Sequence, residues 1–325
     1  MRKISKVFAV LMIIAFVLSI TTLQALPTKA QENSDITIEA DGSITPSSAP
    51  IQQEGDTYTV MAYFQGNVLI KRSNIVFNGA GHSLQGFCIK LLKVTNATIM
   101  DMNIRGLPQG SRYGIIVEDS TDCRVINNTI SDVWSFYGLN GISYEGIHVS
   151  GGSSNVFTEN LLVNNSIGFE FQSSENNLIF KNSIVYIKHG VNSNIIGISF
   201  NNAENNTVFQ NNFKTDYGGL ADSYESLNTW DNGVDIGNYW NGYNSNGTYV
   251  IDNNNIDHYP LSNPVDIYEK PNPTLTLTPA IPLENRNAPH LELTDYLLPI
   301  TIIIGIIIVS VLLYRRHLKT ADLST

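Results

Sequence analysis

His148 and Glu170 are the two side chains of this sequence whose types and spacing could together move a proton. An imidazole beside a carboxylate can act as an acid and base pair. The same two groups with Gln172, one alternate position further on, could instead bind a hydroxyl-rich ligand by hydrogen bonds. Trp134, Phe136, Tyr137 and Tyr144 lie just before His148 and offer ring faces of the kind on which sugars stack. Chemistry on such a ligand would need more. Hydrolysis calls for two carboxylates at a suitable separation, and elimination for an acidic calcium cluster with a basic proton abstractor. Glu118, Asp119, Asp122 and Asp132 are the acids nearby and Lys90 and Arg124 the bases, but they do not gather two aspartates and an arginine at one place. The residues therefore favour binding through Trp134, Tyr137, Tyr144, His148, Glu170 and Gln172. His148 and Glu170 stay as the catalytic candidates, and a solvated polar strand face is the plain alternative. Ca2+ is a possible cofactor on these acids, and the residues suggest no other.

These residues are placed by a repeat. With Gly114, Gly146, Gly168 and Gly197 as position zero, and Cys88 in that place in one further copy, the copies align without gaps. Position one holds Ile89, Ile115, Ile147, Phe169 and Ile198; position three holds Leu91, Val117, Val149, Phe171 and Phe200. Positions eleven and sixteen are apolar in every copy as well. Apolar residues at every second position are the signature of a strand with one buried face. The zero positions lie 26, 32, 22 and 29 residues apart, a spacing that fits a solenoid. Coiled with three strands per turn, each copy stacks its apolar side on the next, and positions two and four face outward. His148 then lies over Glu170. Asparagines recur at position nine (Asn155, Asn177, Asn206) and position fourteen (Asn128, Asn160, Asn182, Asn211). They are expected at corners between strands, where asparagine tolerates left-handed backbone and can hydrogen-bond locally. The extra residues, Arg105 to Tyr113, Ser131 to Glu145 and Val185 to Ile196, all interrupt one corner and would form a wall beside the outward face.

Residues 1–30 read as a secretory signal: Arg2, Lys3 and Lys6, an apolar run from Val7 to Ile20, then small and polar residues. Leu297 to Tyr314 is an uncharged, mostly apolar run followed by Arg315, Arg316 and Lys319. It suits a single transmembrane helix with residues 315–325 cytoplasmic and the rest outside the cell membrane. Residues 31–68 are expected to form an N-terminal segment and cap, 69–261 the solenoid with its C-terminal cap, and 262–296 a Pro/Thr-rich stalk. Between the signal and the apolar run lie 12 lysines and arginines and 28 acids, hence 12 minus 28, or −16. That balance argues against nucleic acid as a partner, because phosphate needs basic neutralisation. Cys88 and Cys123, at positions zero and nine, are expected to fill the core unbonded. Sequons begin at Asn96, Asn127, Asn164, Asn205 and Asn246. Tyr217, Tyr224, Trp230, Tyr239, Trp240, Tyr243, Tyr249 and Tyr259 are expected, for the most part, to plug the C-terminal end.

The Gly-Ile-x-Val/Phe copies with their asparagines, together with Gly237-Asn238-Tyr239-Trp240-Asn241-Gly242-Tyr243 and Asp257-His258-Tyr259-Pro260-Leu261, resemble the right-handed parallel β-helix repeats of pectate lyases, carbohydrate-binding surface proteins and the NosD copper-processing family. The closing segment looks like the end of the NosD-like domain of archaeal surface proteins. The resemblance spans about Leu69 to Leu261 and implies an all-β, right-handed parallel β-helix; fold alone carries no activity across. Copper handling would need soft ligands. Met61, Met100 and Met102 are scattered, and His82, His148, His189, His258 and His290 show no paired spacing, so no metal site is expected. The expected function is membrane-anchored recognition of carbohydrate or envelope components outside the cell. A polysaccharide lyase or hydrolase is the alternative, and a structural surface-layer component a further one.

Overall fold

Alternation in each copy becomes three short strands, and every copy lays its strands in parallel on those of the copy before. The computed structural model describes residues 35–107, 110–134, 144–186, 195–215, 219–244 and 247–267. Residues 1–30, the Pro/Thr-rich stretch beyond residue 267, the 297–314 run, the tail, Phe136, Tyr137, His189, Tyr217, Asn246 and His290 lie outside the described residues. Among the described residues no helix is long and apolar enough to cross a membrane.

Three sheets of nine, eight and seven strands line the sides of a parallel β-helix. The nine-stranded sheet carries Ile89–Leu92, Tyr113–Glu118, Glu145–Ser150, Ile167–Gln172, Ile196–Asn201 and Gly219–Tyr224 in succession. Its register is the one the repeat implies: Ile115 opposes Ile147, Ile147 opposes Phe169, and Phe169 opposes Ile198. These side chains are fully buried, as are Val117, Val149, Phe171 and Phe200. Each contributes roughly 1.5–3 kcal/mol by leaving water, and stacking makes one continuous core. The sheets begin earlier than Leu69. Ile36–Ile38 already pairs in parallel with Val68–Ile70, and Thr57–Val60 with Val76–Asn78.

Position zero is glycine for a steric reason. A Cβ on Gly114, Gly146, Gly168 or Gly197 would stand 2.6, 2.8, 2.3 or 2.4 Å from the carbonyl oxygen of position zero in the following copy.

The repeated asparagines stand at the corners and hydrogen-bond there, as expected, but the left-handed torsion falls on their neighbours. The left-handed residue is the one before each: Ser154, Asn176 and Asn205 ahead of position nine, and Asn127, Glu159, Lys181 and Gln210 ahead of position fourteen, with φ between +54° and +59°. The asparagine itself points inward and is buried. Asn160 donates N–H and Nδ2–H to Asn182 Oδ1, both at 3.0 Å, and Asn182 does the same to Asn211 Oδ1 at 2.9 and 3.0 Å. An inward amide can supply the acceptor and donors that a buried corner's backbone lacks, so the position is fixed by hydrogen bonding rather than by torsion. The position-fourteen ladder ends where Asn238 N–H and Trp240 Nε1–H donate to Asp257 Oδ2 at 2.7 and 2.8 Å. Burial pushes the Asp257 carboxyl up, against these donors. The sequon residues Asn96, Asn127, Asn164 and Asn205 sit at left-handed corners, which accounts for asparagine there without any modification.

The aromatic plug is built from fewer of the eight rings than the majority expected. Trp230 and Trp240 are buried, and Tyr249 stacks on Trp240 at 4.1 Å with Tyr243 edge-on to it. Tyr224 and Tyr259 are exposed. Cys123 fills the core; Cys88 is only half-buried, beside Asn67 Oδ1, and both thiols are free.

Candidate functional site

The outward face of the nine-stranded sheet carries Lys90, Ile116, His148, Glu170, Ser199 and Asp222 at position two, in register from strand to strand. His148 therefore opposes Glu170, as the spacing implies. Its closest carboxylate is a different one. His148 Nδ1 lies 2.5 Å from Glu145 Oε2, three residues earlier on the same strand. Glu145, expected in the loop, belongs to the strand Glu145–Ser150 and is 3% exposed. As an Nδ1–H tautomer the imidazole donates to this carboxylate and leaves Nε2 free of it. The Tyr113 ring packs 5.0 Å from the imidazole. Burial, then Glu145, raises the Tyr113 hydroxyl above its ordinary value.

Glu170 is half-buried, and burial raises its carboxyl, opposed by a hydrogen bond with Ser199 and reinforced by the charge of Glu145. Gln172 follows on the same face, exposed, opposite Ser150 and Asn201. One copy back, Lys90 and Glu118 form an ion pair at 2.5 Å. The arrangement is a polar floor with an oriented imidazole at its centre and, beside it, a carboxyl raised by burial. It can accept and donate hydrogen bonds to hydroxyls and can hold a proton in two places.

The wall is less open than expected. Tyr144 is half-buried and leans on the core, and Trp134 is half-buried just beyond the strand Thr129–Ser131. Tyr137 lies outside the described residues. Glu145 and Tyr113 were missed because each precedes the zero glycine, outside the positions used for alignment; the apolar-polar break at Tyr144-Glu145-Gly146 was the available signal.

A second polar feature stands at the C-terminal cap. Asp231, 3% exposed, accepts from Gly233 N–H at 2.7 Å and from His258 through N–H at 3.1 Å and Nδ1 at 2.9 Å. Burial alone would raise its carboxyl, but these bonds hold it below the ordinary value. His258 and Tyr259 border a cleft of about 480 Å³ with Asn254 and Thr229.

A family model described as periplasmic copper-binding protein (NosD) matches residues 21–191, and no curated protein matches the chain. The family description names copper, whereas the residues suggested no copper site and only a possible Ca2+. Among the described residues, histidines, cysteines and acids do not gather in threes that could hold an ion. Cys123 is buried and Cys88 half-buried, and burial raises both thiols, away from the thiolate a soft metal needs. Met102 is fully buried, while His148 and His258 each engage a carboxylate through Nδ1. The described donors do not fit a copper centre. The description as periplasmic agrees with a domain outside the cytoplasm. With a match over more than half of its 325 residues and a parallel β-helix that continues through the matched region, the chain belongs to the NosD family.

Proposed function

We propose that this protein recognises carbohydrate or another hydroxyl-rich envelope component outside the cytoplasm, without chemical turnover, on the outward face of its nine-stranded sheet. The observation that carries the reading is the floor formed by His148, Glu170, Ser199 and Gln172, four hydrogen-bonding side chains on three successive strands. Sugars present hydroxyls at comparable spacing, and strands about 4.8 Å apart match it. Trp134 and Tyr144 are the described aromatic residues at the two ends of the insertion beside that floor, and Tyr137 belongs to the same insertion by sequence. The 1–30 signal and the 297–314 run, flanked by Arg315, Arg316 and Lys319, support export and a membrane anchor.

The test is a glycan array with the purified full-length protein, repeated with His148→Ala, Gln172→Ala and Trp134→Ala. Binding lost in all three supports the reading. Binding that survives His148→Ala removes the floor from it, and no binding to any glycan moves the role to a structural surface component.

A catalytic reading rests on one feature: Nε2 of an imidazole oriented by Glu145, opposite the Glu170 carboxyl that burial raises. That pair could act as base and acid on a bound saccharide. New reducing ends or unsaturated products from an incubated ligand, abolished by His148→Ala, would replace recognition with turnover.

A further inference from the structure

We propose that the open edge of the Gly219–Tyr224 strand docks an extended, basic segment of a partner protein by strand addition. This strand is the last of the nine-stranded sheet. In each earlier copy the residue after the strand, Lys93, Asp119, Gly151, Ser173 or Asn202, donates its N–H to a carbonyl of the next strand. Glu225 holds the same place, and among the described residues no backbone group pairs with it or with the far edge of Gly219–Tyr224. Because Asn202 N–H bonds to Tyr224 O, alternation turns Ala221 and Ser223 toward the open side with their N–H and C=O unpaired.

The other two sheets are continued at this end. Thr229 bridges to Thr207, Tyr239–Trp240 pairs with Asn212–Thr215, and Leu261 bridges to Tyr239. Leu220 stands where earlier copies need glycine, and among the described residues no strand lies above it. It confines an added strand to the residues beyond, Ala221 to Glu225.

Side chains along the edge define the partner. The inward positions, filled by Ile198 and Phe200 one copy earlier, carry the small Ala221 and Ser223, so the edge itself presents no bulky inward side chain to an incoming strand. The outward position between them is the exposed Asp222. No lysine or arginine occurs between Gly219 and Ile267, while Asp222, Glu225 and Asp235 are exposed there. A complementary strand therefore alternates apolar residues with lysine or arginine. Tyr224 and Leu227, 59% and 57% exposed, border the edge. A second copy of this chain fits badly: two such edges would oppose like charges. At the other end Ile44–Thr45 and Ile51–Glu54 pair antiparallel on the first and second sheets, so the outermost strands there run opposite to the solenoid strands. Main-chain bonds supply affinity in such docking, and alternate side chains supply selectivity.

The probe is a fluorescein-labelled eight-residue peptide alternating valine and arginine, titrated into the full-length protein by anisotropy. Saturable binding is expected, at least tenfold weaker when alternate peptide amides are N-methylated, a change that keeps charge and removes pairing. Ala221→Pro, which removes an N–H that faces the open side, should weaken binding at least tenfold. Asp222→Lys should reverse the preference toward a valine and glutamate peptide. The proposal is overturned if the N-methylated peptide binds as tightly as its parent, if Ala221→Pro folds and binds unchanged, or if the chain sediments as a dimer that Ala221→Pro dissociates. Should Ala221→Pro fail to fold, the N-methylated peptide and Asp222→Lys decide alone.

Discussion

Replacing Asn182 with alanine separates the two roles that asparagine could play in this repeat. Asn182 is fully buried; its Oδ1 accepts from Asn160 N–H at 3.0 Å, and its Nδ2 donates to Phe157 O at 2.9 Å. Both partners are buried backbone groups, and alanine leaves both without these bonds. Asn160 Nδ2 keeps Val125 O, and Asn211 Oδ1 keeps the backbone N–H of residue 182, so those atoms are not orphaned. At about 1–3 kcal/mol for Asn160 N–H left unpaired and about 1 kcal/mol for each bond lost at the strand carbonyls Phe157 O and Phe180 O, the loss is about 4 kcal/mol. For a body of this size that corresponds to a fall in Tm of about 8–16 °C. Asn176 is the control: exposed, left-handed at φ +56°, and outside the ladder. Asn176→Ala should cost about 1 kcal/mol, the preference for asparagine over alanine in that backbone region. Thermal unfolding followed by circular dichroism, with urea unfolding for the free energies, measures both. If Asn182→Ala is no more damaging than Asn176→Ala, asparagine serves torsion after all and the ladder argument fails.

Glu170→Gln tests the burial of that carboxyl. Its folded value is raised, so the native state binds the proton more tightly than the unfolded chain, and stability falls as pH rises from about 4.5 through the folded value. The glutamine variant should unfold at a higher temperature than the parent at pH 7 and match it at pH 3; equal melting at pH 7 would contradict the assignment. Gly168→Ala brings a Cβ to 2.3 Å from Gly197 O, a backbone atom that cannot step aside. A loss of about 1–3 kcal/mol is expected, as for other overpacked cores, and a neutral result by urea unfolding would show that the strands can separate at this column.

What the sequence determined by itself is the part that repeats. Apolar residues at positions one and three fix which face of each strand is inside, and a shift of one residue would turn every one of them to solvent. The stacking of Ile147 on Phe169 and of His148 on Glu170 follows from alignment alone, because a parallel solenoid keeps one register through all its copies. Non-repeating features had to await the tertiary structure. His148 binds Glu145 because the chain re-enters the sheet one residue before the zero glycine, and where an insertion ends is not a periodic property. The inward turn of the asparagines was hidden because the left-handed corner and the ladder sit on adjacent residues, and both can be asparagine, as Asn176-Asn177 and Asn205-Asn206 show. The free edge of Gly219–Tyr224 depends on which sheets the cap continues, a matter of long-range closure. Local pattern specifies the unit; the ends and the insertions, where the unit meets something other than itself, are decided only by the assembled fold.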